Sequence, residues 1–378
     1  LYDENYHPGR SAYFLAGLYY IQEPSAMLVA DALPIEPDDF VLDMCAAPGG
    51  KSCEIASRLT GEGVLIANDI EASRARILSE NIERFGLDNT IVTNVDPMRF
   101  TKQFQEAFDK VVLDAPCSGE GMFRKLEQAV DTWSEEKVLE CAHIQKNLLK
   151  GAYEMLKQGG MVIYSTCTYS YEENEAMVHY AVDELGFELL PLNKSHGLCP
   201  GVDLDEVVRC YPHHYRGEGH FIALLRKPGN SPRKAVRPMK PQVSQANLKV
   251  LKAFYQENLN KNVPSYIIEN NGHLYAIKKN FPELKGIRVL RNGLYLGEVR
   301  KNRFIPSYSL ALTLTKEDVK RSYDYPSDSA EIKKYIHGET LEGTGNKGFG
   351  VLFVDGYPLS FYKESNQVKN LFPKGLRR

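Results

Sequence analysis

Two apolar runs that each end in a cysteine constrain this chain more than any other feature. Val111–Gly121 reads V-V-L-D-A-P-C-S-G-E-G, and Tyr164–Ser170 reads Y-S-T-C-T-Y-S. Short apolar runs bounded by turn-forming residues predict buried strands, here with a thiol at the carboxyl end of each. Because ligands bind outside the carboxyl ends of the strands in open α/β sheets, we expect both thiols in one crevice.

The first 225 residues alternate strand-like and helical stretches. Strands are predicted at Asp39–Met44, Gly63–Ile70, Thr90–Val95, Phe108–Ala115 and Met161–Ser165, with terminal strands at Phe187–Leu192 and Gly219–Leu225. Helices are predicted at Lys51–Leu59, Glu71–Phe85, Ser134–Leu156 and Glu172–Leu185. This alternation predicts an α/β fold with a doubly wound, mostly parallel, Rossmann-like sheet.

The sequence changes character after residue 226. Lys227–Lys240 contains three prolines and few bulky apolar residues, which indicates a basic, Pro-rich linker that we place at residues 227–244. Beyond it lie short strand-like runs, namely Ser265–Glu269, His273–Ile277, Ile287–Leu290, Leu294–Val299 and Phe349–Val354. Asn271-Gly272 and Asn292-Gly293 predict hairpins between such runs. We therefore expect an α/β domain at residues 1–226 and a smaller β-rich (α+β) module at residues 245–378.

The two parts of the chain differ sharply in charge, although the whole carries only −3. Residues 1–225 hold 18 Lys and Arg against 36 Asp and Glu, whereas residues 226–378 hold 28 against 13. Lys and Arg gain affinity for nucleic acid by releasing its condensed counterions. The second part is therefore expected to bind a polyanion, with RNA or DNA favoured; the alternative is a basic surface without a ligand.

Composition also excludes several classes of protein. No run of about 18 apolar residues could span a membrane, and the first ten residues do not have the pattern of a secretory signal. Seven cysteines at irregular spacing, without a Cys-x-x-Cys pair, favour reduced thiols in the cytoplasm. Cys199 and Cys210 lie near three histidines, but their spacing does not match a zinc site, and no metal is expected. Trp133 is expected in the core.

Leu42–Ser52, which reads L-D-M-C-A-A-P-G-G-K-S, predicts a ligand-binding turn between a strand and a helix. The spacing matches neither the P-loop nor the G-x-G-x-x-G pattern, which disfavours nucleotide triphosphates and dinucleotides. Asp69 ends the next strand and could bind both hydroxyls of a ribose; Asp96 ends the third and could reach an adenine edge. These features suit an adenosine cofactor without phosphate, such as S-adenosylmethionine. The alternative is that the acids only cap helices.

Three motifs now give a family resemblance: L-D-M-C-A-A-P-G-G-K-S, D-A-P-C-S-G-E-G and Y-S-T-C-T-Y-S-Y-E-E-N-E, in that order. With Tyr19–Met27 upstream, the chain from about Gly17 to Leu225 resembles the NOL1/NOP2/Sun family of RNA cytosine-C5 methyltransferases. Val354–Leu359 and Phe372–Arg377 are similar to the C-terminal, PUA-like region of the bacterial branch that acts on 16S ribosomal RNA.

The resemblance implies roles for both thiols. A thiolate that adds to C6 of cytosine makes C5 nucleophilic towards the methyl group of the cofactor. Residue types alone leave the order of the thiols open, because DNA cytosine-C5 methyltransferases use a Pro-Cys thiol. The family resemblance and the T-C-T motif assign the nucleophile to Cys167 and product release to Cys117. Asp114 would contact the base and the cofactor. The cofactor contacts implied by the family are Cys45, Ala46, Ala47, Pro48, Gly49, Gly50, Lys51, Asp69, Asp96 and Asp114, with Arg74 a weaker candidate.

The resemblance also implies partners. We expect ribosomal RNA or the 30S subunit as substrate, with a flipped or single-stranded target cytosine, no membrane and a monomeric enzyme. Family members carry an RNA-binding stretch before the Q-E-P-S-A-M segment, so we expect the sequence to be part of a longer chain. Two other functions stay open: methylation of another acceptor, such as an exocyclic amine, and a ribosome-assembly factor that binds RNA and cofactor without catalysis.

Overall fold

The first part of the chain is built on one large sheet. The computed structural model describes residues 7–125 and 127–377. The prediction that the first ten residues are not a secretory signal therefore falls mostly outside the described residues. The strands are β1 (Phe40–Asp43), β2 (Val64–Asn68), β3 (Thr90–Thr93), β4 (Phe108–Asp114), β5 (Leu156–Thr166), β6 (Glu188–Leu190), β7 (Val208–Cys210) and β8 (His220–Arg226). The helices are α1 (Ala12–Leu15), α2 (Pro24–Asp31), α3 (Gly50–Arg58), α4 (Ala72–Arg84), α5 (Glu127–Asp131), α6 (Glu135–Met155) and α7 (Glu175–Asp183), with 3-10 turns at Pro8–Arg10, Pro97–Phe100 and Glu120–Met122.

The order of the strands fixes the position of the crevice. Strands β3, β2, β1, β4 and β5 are parallel neighbours in that order. Strand β8 pairs antiparallel with β5, and β6 and β7 pair antiparallel with β8. The order reverses between β1 and β4, and the ligand crevice of a doubly wound sheet lies at such a point. The predicted Rossmann-like fold is confirmed.

Both faces of the central strands are buried. Leu42 and Val111 belong to one apolar cluster, whereas their neighbours Val41 and Val112 belong to another. Successive side chains of a strand point to opposite faces, so a parallel sheet needs apolar residues at nearly every position when helices cover both sides. The long apolar runs in the sequence have this origin.

The second part of the chain forms two smaller sheets. Its strands are β9 (Ile267–Asn270), β10 (His273–Ala276), β11 (Val289–Asn292), β12 (Leu294–Arg300), β13 (Arg303–Pro306), β14 (Ser322–Tyr325), β15 (Leu341–Glu342), β16 (Gly348–Val354), β17 (Tyr357–Glu364) and β18 (Gln367–Asn370). Its helices are α8 (Gln245–Asn258), α9 (Tyr308–Ala311) and α10 (Ala330–His337), with a 3-10 turn at Lys374–Leu376. One sheet has the order β13-β12-β10-β9 and the other β14-β16-β17-β18-β15. The predicted hairpin at Asn271-Gly272 is confirmed, since it joins the antiparallel strands β9 and β10.

The second hairpin prediction is wrong. Asn292-Gly293 separates β11 from β12, but these strands belong to different sheets. β11, which overlaps the predicted run Ile287–Leu290, pairs antiparallel with β3 at the edge of the large sheet. The physical reason is that a local turn preference cannot report which sheet the next strand joins.

The prediction for Trp133 is also wrong. Its side chain is 37% exposed, and its indole Nε1 donates a hydrogen bond to Glu120 Oε1 at 3.0 Å. The polar edge of the ring has a surface partner, so Trp133 does not need a place in the core.

The segment after β8 packs on the first part of the chain. Lys227 Nζ donates hydrogen bonds to the carbonyls of Tyr153 and Leu156, both at 2.9 Å. Arg233 forms an ion pair with Asp109 at 2.5 Å. These contacts hold the basic segment along the sheet.

Residues 7–125 and 127–377 contain neither a membrane-spanning helix nor a metal-binding cluster. No helix there is long and apolar enough to cross a bilayer. No group of three or more His, Cys, Asp or Glu side chains in the same residues is arranged to hold a metal ion.

Candidate active site

The two strand-end cysteines meet at the carboxyl edge of the sheet. Strand β4 runs beside β5 with Asp114 opposite Ser165, so the loops that follow them leave the sheet side by side. Cys117 Sγ and Cys167 Sγ lie 3.3 Å apart. The backbone N–H of Cys167 also points at Cys117 Sγ, at 3.4 Å.

The two loops are bonded to each other beyond the thiols. The N–H of Gly121 donates to the carbonyl of Cys167 at 2.8 Å. Glu120 Oε2 accepts from the N–H of Tyr169 at 2.8 Å and from the Thr168 hydroxyl at 3.0 Å. A Cβ at position 121 would lie 2.9 Å from the carbonyl oxygen of Cys167, so only glycine permits this approach.

The E-E-N-E segment after Cys167, residues 172–175, forms hydrogen bonds with both loops. Glu173 accepts hydrogen bonds from the N–H of Ser118 at 3.1 Å and from Gln145 Nε2 at 2.8 Å. Burial raises the pKa of Glu173, and the bonds from Ser118 and Gln145 offset part of that effect. Asn174 accepts from the Thr166 hydroxyl at 2.6 Å and donates to the carbonyl of Thr168 at 3.0 Å. The segment therefore fixes the backbone on each side of the thiols.

The Cys117 thiol is held in its neutral form. Its pKa is raised well above the usual range, first by the hydrogen bond with Cys167 and then by burial. The nearby charge of Glu173 acts in the same direction. A thiol with a raised pKa keeps its proton and is a poor nucleophile.

A cavity of about 210 Å³ lies beside the turn after β1. Of the predicted cofactor contacts, Cys45, Ala46, Ala47, Pro48, Gly50, Lys51 and Asp114 line it. Gly49 is the N-cap of α3 with φ 110°, a conformation that favours glycine, and a Cβ there would lie 2.9 Å from Leu78 Cδ1. Burial raises the pKa of Cys45, which makes that thiol an unreactive wall of the cavity.

Asp114 connects this cavity to the thiol loops. Its Oδ2 accepts from Lys51 Nζ at 2.8 Å, and its Oδ1 accepts from the Ser165 hydroxyl at 2.7 Å. Burial alone would raise the pKa of Asp114, but the charge of Lys51 and the hydrogen bonds from Lys51 and Ser165 act against it, and the pKa is lowered. Asp114 is therefore a carboxylate in a charged pair with Lys51, between the cavity and β5.

Asp43, which the sequence analysis did not select, also lines the cavity. Its Oδ2 accepts from the Ser52 hydroxyl at 2.6 Å, whereas the buried Oδ1 has no hydrogen-bond partner among the described residues. Burial raises the pKa of Asp43 to about 7, with the Ser52 bond lowering it and Asp114 raising it further. A free buried acceptor and two carboxylates suit S-adenosylmethionine, which carries positive charge on its ammonium and sulfonium groups.

The other two predicted acids occupy different environments. Asp69 is 1% exposed and accepts from the N–H groups of Ala47 at 3.3 Å and Glu71 at 2.9 Å, so it lies against the turn. Asp96 is exposed, and its Oδ1 accepts from the N–H of Met98 at 2.9 Å. Asp96 thus caps a 3-10 helix, and its contact with the cofactor stays a prediction.

The Q-E-P-S-A-M segment contacts His220, a residue that the sequence motifs did not indicate. Glu23 accepts from the N–H of Ala26 at 2.8 Å at the start of α2, and the Ser25 hydroxyl contacts His220 Nδ1 at 2.9 Å. Burial, with help from Lys51, lowers the pKa of His220 to about 4, so its ring is neutral. His220 is the first residue of β8 and is distant in sequence from every motif. Only the fold brings it beside Ser25.

Three family profiles match consecutive parts of the chain. The family described as 16S rRNA methyltransferase RsmB/F matches residues 30–226. The RsmF rRNA methyltransferase first C-terminal domain matches residues 253–314, and the methyltransferase RsmF PUA domain matches residues 322–378.

Individual relatives match over most of their length, and solved structures match over about 60% of this chain. The ribosomal RNA small subunit methyltransferase F of Vibrio vulnificus (strain YJ016) is 36% identical over 395 residues, which cover 100% of this chain and 83% of the relative. The protein of the same name from Aeromonas salmonicida (strain A449) is 32% identical over 398 residues, or 100% and 82% of the two chains. The solved structure of NSun6 from Pyrococcus horikoshii with SFG is 34% identical with a TM-score of 0.54, covering 60% of this chain and 57% of that one. A methyltransferase homolog protein from the same organism is 35% identical with a TM-score of 0.53, covering 59% and 73%. The chain belongs to the 16S rRNA methyltransferase RsmB/F family: it is an rRNA methyltransferase, and its cofactor is S-adenosylmethionine.

Proposed function

We propose that the protein methylates C5 of a cytosine in 16S ribosomal RNA through a covalent bond between Cys167 Sγ and C6 of the ring. The observation that carries this proposal is the 3.3 Å distance between Cys117 Sγ and Cys167 Sγ at the crevice. Methyl transfer to an exocyclic amine or to a ribose oxygen has no need of one thiol, still less of two.

The first step is the addition of the Cys167 thiolate to C6. The Sγ–C6 bond forms while the electron pair of the C5=C6 double bond moves towards C5, which becomes a nucleophile. S-adenosylmethionine supplies an electrophilic methyl group when it is bound. The raised pKa of Cys117 supports this order, because a thiol that keeps its proton is a poor nucleophile.

Cys117 takes part in release of the product. Water takes the C5 proton, the electron pair of the C5–H bond restores the C5=C6 double bond, and the electron pair of the Sγ–C6 bond leaves with Sγ as a thiolate. Cys117 lies against Cys167 Sγ and is held neutral, which places a proton-carrying group beside the bond that must break. Asp114, fixed by Lys51 and Ser165, would contact the base edge as well as the cofactor.

The acidic and basic parts of the chain divide the work. Residues 1–226 bind the cofactor and the target cytosine, and residues 245–378 bind structured RNA. Residues 227–244 link these two parts. The substrate is ribosomal RNA or the 30S subunit, the enzyme acts as a monomer in the cytoplasm, and no membrane is involved. The seven free cysteines support the assignment to the cytoplasm, and the charge difference between the two parts supports RNA binding by residues 245–378.

Two cysteine variants test the chemistry. Cys167→Ala should lose methyl transfer to 16S rRNA, since no nucleophile remains, yet bind S-adenosylmethionine as the wild type does. Cys117→Ala should accumulate a protein–RNA adduct that survives denaturing electrophoresis. Cys199→Ala, a partly exposed thiol in a loop, is the control and should turn over normally. The modified base is identified by mass spectrometry of nucleosides from RNA incubated with labelled cofactor.

The contrary results are equally specific. An adduct with Cys167→Ala and normal turnover by Cys117→Ala would exchange the two roles. Activity that survives loss of both thiols would indicate another acceptor atom. Tight binding of 30S precursors without any methylated base would indicate an assembly factor.

A further inference from the structure

The C-terminal part of the chain contains a groove that the methyl-transfer site does not use. It has a volume of about 940 Å³ and lies between α8, the β12–β13 turn and the β16–β17 pair. Its rim carries five cations, Lys249, Arg300, Lys301, Arg303 and Lys363, and its floor includes Phe254 and Phe349. We call these seven residues and the space between them the basic groove.

The charge on the rim is largely uncompensated. Glu257 is the acid that lines the same cavity. Arg300 forms an ion pair with Glu298 at 3.1 Å, but across residues 7–125 and 127–377 no carboxylate pairs with any of the other four cations. All five are exposed. Uncompensated cations facing one groove repel each other, so the arrangement gains most from an anionic ligand.

The turn at the rim keeps two of these cations beside the groove. Lys301 and Asn302 have φ angles of 48° and 58°, which make a tight turn between the antiparallel strands β12 and β13. Arg300 pairs with Arg303 across this turn. Short hairpin turns of this type fix the separation of the side chains that flank them.

The floor offers an aromatic surface beside the positive charge. Phe349 is half-buried, its ring packs on Phe254 with centroids 5.3 Å apart, and Lys363 Nζ lies 5.0 Å from its centroid. A cationic track beside an accessible aromatic ring is the combination by which proteins bind single-stranded nucleic acid, with phosphates on the cations and a base against the ring.

We propose that the basic groove binds a single-stranded segment of the substrate RNA, with phosphates on its rim and a base against Phe349. The assignment rests on the proposed function, because it takes the RNA that is methylated as the ligand. The first part of the chain carries twice as many acidic as basic residues, so the second part is the more favourable one for a polyanion. The groove offers the charge and the aromatic contact within one feature.

The test measures binding of fluorescein-labelled oligouridine by anisotropy at several salt concentrations. Oligouridine contains no cytosine, so its binding does not depend on the methylation chemistry. The double variant Lys301→Gln/Arg303→Gln should reduce the slope of log affinity against log salt by about 1.4, or roughly 25-fold in affinity at about 0.1 M salt. The variant Lys279→Gln/Lys285→Gln removes the same charge from exposed sites outside the groove and should change the affinity several-fold less.

Phe349→Leu tests the aromatic contact without removing charge. It should weaken oligouridine binding while leaving the salt slope unchanged, because stacking does not release counterions. Affinity for S-adenosylmethionine, measured in the same preparations, shows that each variant is folded.

The outcomes separate the groove from the proposed function. Equal losses in the groove and control variants, or no loss in either, would overturn the groove assignment while wild-type methylation of C5 stands. Oligouridine binding like the wild type combined with weaker binding of intact 30S particles would make the groove a protein-binding surface and also overturn it. Methylation at another atom with groove-dependent oligouridine binding would refute the proposed reaction and leave the groove as an RNA site.

Discussion

Asp43 is the residue through which pH should act on the cofactor cavity. Burial raises its pKa to about 7, and a cationic ligand favours its ionised form. Binding of S-adenosylmethionine should therefore release a proton from Asp43 below about pH 7. Affinity should rise with pH by up to about tenfold per unit and level off above that pH. Calorimetric titrations between about pH 5 and pH 8, in buffers of different ionisation enthalpy, measure the affinity and the protons released.

The variant Asp43→Asn isolates this effect. Asparagine has nearly the same shape and can keep a bond to Ser52, but it does not titrate. Its affinity should be nearly independent of pH over the same range, and its binding should release fewer protons. An unchanged slope in the variant would assign the released proton to a group other than Asp43.

At the scale of single residues, the sequence predicted those site residues that belong to recognisable motifs. Cys117 and Cys167 were identified because each stands directly after an apolar strand, and the turn at Cys45–Lys51 because small residues follow β1. Asp43 was missed although it lies in the same motif. What distinguishes it is a buried oxygen without a partner, and that property arises only when Ser52 and Asp114 are in place.

At the scale of elements, a buried ion pair holds the segment before β8 against α7. Arg209 and Glu175 are 3% and 0% exposed, and Arg209 Nε donates to Glu175 Oε1 at 2.7 Å. Arg209 Nη1 also donates to the carbonyl of Tyr169, two residues after Cys167, at 3.0 Å. The pair thus ties β7, the first turn of α7 and the Cys167 loop together.

Arg209→Met should therefore destabilise the protein by about 3–5 kcal/mol, because it leaves the carboxylate of Glu175 buried without its partner. Arg226→Met is the matched control. Its pair with Glu188 is 45% and 44% exposed, so the loss should stay within about 1 kcal/mol. Urea unfolding curves give both values. Equal effects of the two substitutions would show that burial of the first pair does not determine its contribution.

The elements themselves were predictable to different degrees. The central strands and long helices of residues 1–226 follow from apolar periodicity, which is strong wherever a helix or strand faces a large core. β11 could not be assigned to its sheet from sequence, because Val289–Asn292 reads like the short strands around it. Its partner β3 is nearly 200 residues away, and the pairing depends on the path of the whole chain.

At the scale of the whole molecule, the two parts of the chain share more than a linker. β11 extends the large sheet beyond β3, and Arg291 on that strand is 4% exposed. Arg291 donates to the Ser309 hydroxyl at 3.1 Å and lies 3.7 Å from the carboxylate of Glu83 on α4. Tyr308 shares an apolar cluster with Leu15 of α1. Cofactor binding in one part should therefore stabilise the other.

Scanning calorimetry can test this coupling. The wild type should unfold in one endotherm, and S-adenosylmethionine at about 100 times its Kd should add about 2.7 kcal/mol to the whole transition. Arg291→Pro removes a backbone donor from β11 together with the buried guanidinium, so it should divide the transition into two. Only the endotherm of residues 1–226 should then shift with the cofactor, because the other part has lost the strand that couples it to the cavity. Two endotherms in the wild type, one of them insensitive to the cofactor, would show that the shared strand joins the parts without coupling their stability.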